Sequence, residues 1–139
     1  MAATVPSLGR TGRLDRHIDF VARLFVVWSA FNGIIGTAMV LFAASAALLS
    51  RAAGEARPGA EIAATVTAGA FLIVAATALL WAVVHAWCAR ALLRHDRWGR
   101  LLALALGVFN VLLFPFGTAL GAYALWVLLQ EDARRRFEP

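Results

Sequence analysis

The chain contains no lysine: all 13 of its basic side chains are arginines, and they set its net charge of +5. Acids are missing where they would matter most. No Asp or Glu lies within any apolar block, and all 8 acids sit in flanks and loops. Proton-coupled pumps and exporters use a buried ionisable group, so the small multidrug exporters with a membrane-embedded glutamate are argued against. Cysteine occurs once, as Cys88, which excludes an intrachain disulfide and a cysteine-based zinc site within one chain. There is also no Cys-x-x-Cys pair for thiol-redox or quinone-reducing chemistry. Gly-rich phosphate loops, nucleophile elbows and zinc-protease patterns are absent as well. The sequence therefore points to no catalytic residues, no cofactor and no metal.

What fills the chain instead is apolar: 62% of its 139 residues are hydrophobic and 15% charged, which leaves no room for a separate soluble domain. The arginines stand just outside the apolar blocks, where they mark topology and meet anionic headgroups. No aromatic–basic soluble surface is left for a nucleic acid, so the lipid bilayer is the expected partner. The first apolar stretch runs over 24–49, well beyond a signal-peptide core of about 7–15 residues, and is expected to stay as an anchor.

Residues 1–19 form a polar segment, with a short interfacial helix expected near its end. Gly54, Pro58 and Gly59 punctuate a loop over 50–61, and a basic connector follows over 90–100. The last apolar block, 101–129, is longer than the roughly 20 residues of one span. It is interrupted by Phe114-Pro115-Phe116-Gly117-Thr118. Pro115 cannot donate an amide hydrogen bond, Gly117 permits a turn, and Thr118 can cap a returning helix. A turn here puts the arginines of the N-terminal flank, the connector and the tail on one side, against Arg51 and Arg57 on the other. Trp28, Trp81, Trp87, Trp98 and Trp126 then share one interface.

The expected architecture is an all-α polytopic bundle of four transmembrane helices in a single domain. Its spans are about 24–49, 62–89, 97–114 and 117–133, with both termini cytoplasmic. A re-entrant hairpin at Pro115 and a three-span chain are the alternatives, because 101–114 alone covers only about 21 Å of a roughly 30 Å core.

His85 is the one ionisable side chain clearly inside a span, and haem or metal binding would fall to it. A hydrogen-bonded structural histidine is the plainer reading. His85 and Cys88 share a helix face, but two ligands do not make a metal site, and His95 could add a third only by folding back. Asn32 and Asn110 are the uncharged polar residues deepest in spans one and three, expected to hydrogen-bond between helices. Close-packing spacings occur at Gly117 and Gly121, at Gly33 and Thr37, and along Ala78, Ala82 and Ala86.

The run Asn110-Val-Leu-Leu-Phe-Pro115-Phe-Gly117-Thr118-Ala-Leu-Gly121-Ala-Tyr123-Ala-Leu-Trp126, preceded by Arg97-Trp-Gly-Arg100, resembles the tail of a group of uncharacterised small bacterial four-helix inner-membrane proteins. The resemblance covers about 30 residues. It implies a bacterial inner-membrane location and a helical hairpin, and it implies no activity. Small-residue faces without a catalytic constellation suggest a structural or accessory protein that self-associates or packs on a larger membrane protein. The competing class is a homo-oligomeric channel or transporter, with Asn32, Asn110, Thr65, Thr77 and Thr118 facing its path.

Overall fold

The structure, a computed structural model, describes residues 8–53 and 59–137. Helix accounts for 92% of those residues and none is in a strand, so the chain is all-α. The described residues form five helices: α1 (Leu8–Ala53), α2 (Ala60–Leu93), α3 (Arg97–Val111), α4 (Phe116–Leu128) and α5 (Glu131–Phe137). Two of them, α1 and α2, are long and apolar enough to cross a membrane. The loop expected over 50–61 is shorter than its punctuation suggested, because α1 continues to Ala53 and α2 starts at Ala60. Gly54, Arg57 and Pro58 lie outside the described residues, as do the first seven residues and the last two.

The fold divides into two units. In the unit over 28–84, the second part of α1 and the first part of α2 pack antiparallel. Ser29 Oγ donates to the Ala82 carbonyl at 2.7 Å, and the rings of Phe42 and Phe71 stand 5.8 Å apart. Between these contacts Gly36 lies against Leu79: a Cβ at Gly36 would meet Leu79 Cγ at 2.7 Å and its backbone nitrogen at 3.2 Å. The α1 side of this seam therefore runs through Ser29, Gly36 and Ala43, small residues at a spacing of seven. Its α2 side runs through Ala75, Ala78 and Ala82, all buried. Heptad spacing of small side chains keeps one stripe facing the partner helix and lets the backbones approach closely. Large apolar residues such as Ile34, Leu41, Ile73 and Leu80 point outward.

The second unit comprises 8–27 and 85–137 among the described residues. Its α1 segment buries Leu14, Ile18, Val21, Ala22 and Phe25, a helical stripe of spacing three and four. Cys88, Ala89 and Leu92 from α2 join this core, as do Ala103 and Leu106 from α3, Leu120, Ala124, Val127 and Leu128 from α4, and Ala133 and Phe137 from α5.

Helix α2 stops without glycine or proline. His95 takes the left-handed conformation, φ 54°, its N–H bonds the Leu92 carbonyl at 3.0 Å, and the Asp96 N–H reaches back to Ala91 at 3.0 Å. That pair of bonds is a Schellman cap, with His95 where glycine is usual. Gly99 then lets α3 start against this end, since a Cβ there would sit 2.7 Å from Ala91.

The expected fourth span over 117–133 is interrupted. Helix α4 ends at Leu128, and α5 begins at Glu131 as a separate segment of 7 residues. Arg100 Nε donates to the Leu128 carbonyl at 3.1 Å, satisfying one of the acceptors that a helix end leaves open. Glu131 and Asp132 occupy the first turn of α5 and three arginines its last, the arrangement a helix dipole favours.

Candidate functional site

The break at Pro115 is a hairpin. Helices α3 and α4 pack on each other, joined by residues 112–115, with a cis bond between Phe114 and Pro115. Their close approach depends on glycine. A Cβ at Gly117 would meet Leu113 Cβ at 2.5 Å and the Asn110 carbonyl oxygen at 2.7 Å. One at Gly121 would collide with the Gly107 carbonyl oxygen and lie 2.8 Å from the Val111 nitrogen. The Gly117–Gly121 spacing is thus used inside the chain, against α3. Thr118 acts differently from the cap expected of it. Its hydroxyl donates to the Val111 carbonyl at 2.8 Å, closing the end of α3, and α4 has no side-chain cap.

Next to the turn of this hairpin the structure brings together two residues distant in sequence. Asn110 Nδ2 donates to His85 Nε2 at 2.9 Å, and both residues are fully buried. Phe25 stacks on the imidazole with ring centroids 5.3 Å apart. The amide nitrogen can only donate, so Nε2 is the acceptor in this pair. A metal or haem iron seeking Nε2 would have to displace that bond. Asn110 is therefore the interhelical polar link expected of it, and His85 is its partner.

Asn32 is not such a link. Its Nδ2 donates to the Trp28 carbonyl one turn back on its own helix, at 2.8 Å. Thr65 and Thr77 likewise bond their own helix, to Glu61 at 2.7 Å and Ile73 at 2.9 Å, and both are exposed. None of these three side chains makes its bond to another helix. Cys88 is buried in the second unit, its thiol 3.9 Å from the Gly99 carbonyl, while His95 packs against Phe137 at 5.7 Å. Among the described residues no three His, Cys, Asp or Glu side chains gather.

The packing stripes need redrawing. Ala78 and Ala82 are buried as expected, but Ala86 is exposed, because the stripe continues through His85 and Ala89 instead. Gly33 meets nothing within 4 Å, and Thr37 bonds the Gly33 carbonyl at 2.9 Å on an exposed face. Gly36, three residues on, is the glycine that packs.

A third arrangement was not legible in the sequence. His17 Nδ1 and the Tyr123 hydroxyl are 2.8 Å apart, joining α1 to α4, with Trp126 edge-on to the imidazole at 6.1 Å. Phe20 lies edge-on to Tyr123 at 5.8 Å. Arg136 of α5 pairs with Asp15 at 2.7 Å. Beside these aromatics lies an open hollow of about 630 Å³ walled by Arg13, Arg16, His17, Phe20, Arg23 and Tyr123, with Asp19 also on its wall. The signal in the sequence was the spacing of Arg13, Arg16, Phe20 and Arg23, which places them on one helix face.

No protein-family model, curated protein or solved structure matches this chain at a significant level.

Proposed function

We propose that this protein is an integral protein of the bacterial inner membrane, with both termini cytoplasmic, acting as a non-enzymatic structural or accessory subunit. One observation carries the membrane reading. In the most apolar windows of α1 and α2 only 11% and 17% of residues are buried, so these faces need an apolar solvent. The excess of arginine on the N-terminal flank, the connector and the tail supports the orientation. Exposed Trp87, Trp98 and Trp126 stand near the connector and the tail, as at a headgroup boundary.

In this reading α1 and α2 cross, while α3 and α4 enter from the cytoplasmic side and return. Helix α3 has 15 residues and α4 has 13, so each rises about 20–22 Å at 1.5 Å per residue, short of a roughly 30 Å core. The tip carries Leu112, Leu113, Phe114 and Phe116, all exposed and none polar. Part of its backbone is paired locally: Leu112 and Leu113 donate back into α3, and Thr118 donates to Leu113. The short rise favours a re-entrant hairpin over the four-span form, with its exposed tip covered by a partner protein rather than by lipid, because irregular backbone at membrane depth must be buried in protein.

A subunit role draws support from the fate of the polar groups. Asn32, Thr65, Thr77 and Thr118 each bond backbone nearby, and Asn110 bonds His85, which disfavours a pore lined by them. Gly33 and Thr37 remain open, where a second helix could approach.

Topology is tested with a membrane-impermeant maleimide on a Cys88→Ala background. Leu113→Cys is expected to resist labelling from both sides, whereas labelling from outside establishes four spans. Native mass spectrometry of gently extracted protein tests the role. A stoichiometric second protein, released by Gly33→Leu, is the expected result; a homo-oligomer that conducts ions in liposomes would install the channel reading.

A further inference from the structure

The hollow beside Tyr123 is a cationic, aromatic-rimmed cavity, and its chemistry goes beyond a generic basic flank. Three guanidinium groups, on Arg13, Arg16 and Arg23, stand on its wall against the single carboxylate of Asp19. Arg16 Nε donates to the Gly12 carbonyl at 3.3 Å. Arg13 and Arg23 make no hydrogen bond or ion pair with a described residue, and neither does Asp19. Planar guanidinium forks match the oxygens of a phosphate, often in pairs, which distinguishes them from a lysine's point charge. The opposite wall is held in place, because the His17–Tyr123 bond pins the phenol and leaves its oxygen with further bonding capacity.

Two features say where the phosphate comes from. The rim is apolar at Phe20, which is 52% exposed, and Trp126, 58% exposed, packs edge-on against the lining His17. A soluble phosphate would gain nothing from that rim, whereas the glycerol and upper acyl chain of a lipid would lie against it. The cavity also sits where α1 changes character, with Arg23 followed directly by the apolar run from Leu24. Its volume, about 630 Å³, falls within the roughly 300–1,000 Å³ typical of small-ligand sites.

From this geometry we infer that the cavity binds the phosphodiester of an anionic glycerophospholipid, with Arg13, Arg16 and Arg23 on the phosphate and Phe20 and Trp126 against the chains. The inference rests on the membrane reading, since it places this end of the protein at a headgroup layer.

The test uses the full chain in nanodiscs of equal phosphatidylcholine and phosphatidylglycerol, with native mass spectrometry counting the lipids retained on ejected protein. Wild type is expected to retain phosphatidylglycerol over phosphatidylcholine by about tenfold, the scale of one or two arginine contacts. R13Q/R16Q/R23Q is expected to lose that preference. R90Q/R94Q/R135Q, which removes the same charge elsewhere, is expected to keep it. Equal loss in both triple variants, or no preference in wild type, overturns the site. Binding of inorganic phosphate in pure phosphatidylcholine discs, without lipid preference, assigns the cavity to a soluble anion and overturns it too. Alkaline carbonate extraction of native membranes separates the two levels. Protein that stays in the pellet yet shows no lipid preference removes only this site, whereas protein released to the supernatant removes the membrane reading itself.

Discussion

Replacing Gly121 with alanine adds one methyl group, and the structure states what that methyl meets. It collides with the Gly107 carbonyl oxygen and lies 2.8 Å from the Val111 nitrogen and 3.0 Å from Val111 Cγ2. Two of these are backbone atoms of α3, so no rotamer change relieves the contact and the two helices must separate. Overpacking of this kind costs about 1–3 kcal/mol, partly offset by up to about 1 kcal/mol of helix propensity gained over glycine. Gly36→Ala meets Leu79 Cγ at 2.7 Å and Cδ2 at 2.8 Å, a side chain that can turn, and its backbone nitrogen only at 3.2 Å, so its cost is smaller, about 1 kcal/mol. Gly33→Ala meets nothing within 4 Å and is expected to be neutral or stabilising by up to about 1 kcal/mol. Unfolding in mixed micelles of rising SDS fraction, followed by tryptophan fluorescence, reads the three variants on one scale. The expected order of stability is Gly33→Ala, then Gly36→Ala, then Gly121→Ala. A neutral Gly121→Ala beside a destabilising Gly33→Ala would refute the packing described and restore Gly33 as the contact glycine.

Asn110→Ala strips the His85 ring of its buried partner and is expected to cost about 1–3 kcal/mol, whereas Asn32→Ala, which loses only a bond within its own helix, is expected to cost less than about 1 kcal/mol. The same SDS titration measures both, and equal costs would deny the pairing. His95→Gly is expected to stabilise by about 1 kcal/mol, because a side chain in the left-handed region costs about that much. Stability unchanged or lowered in the same titration would show that the His95–Phe137 contact outweighs the backbone term. Cys88 is fully buried, so in folded, detergent-solubilised protein it should react with maleimide on the order of a hundredfold more slowly than a cysteine placed at exposed Arg94. Comparable rates would place Cys88 at a surface.

Much of the architecture could be read from residue order alone. Hydropathy located both long apolar helices, because a run long and apolar enough to cross a membrane is a property of composition over one stretch of chain. The turn at Pro115 followed from local chemistry, since proline and the Gly117–Thr118 pair act within a few residues. The end of α2 did not, because His95 stands where a sequence reader looks for glycine. The break between α4 and α5, inside the expected span 117–133, escapes a local reading for a related reason. The residues after Leu129 read as an extension of span four, while the α4 end is instead met by Arg100 and α5 buries Ala133 and Phe137 separately.

Composition and spacing thus determined the helical class, the apolar segments and the place of the hairpin, all of them properties of short stretches of chain. Which residues face one another was decided by tertiary structure. His17 meets Tyr123 across 106 positions and Asp15 meets Arg136 across 121, and no local pattern encodes such pairings. The same holds for Gly36 over Gly33 and for His85 as the partner of Asn110. A difference of three residues along a helix, or the depth at which two helices cross, turns a small-residue spacing from a packed seam into an open face. The register of the packed helices sets that choice, and register emerges only once the helices are assembled.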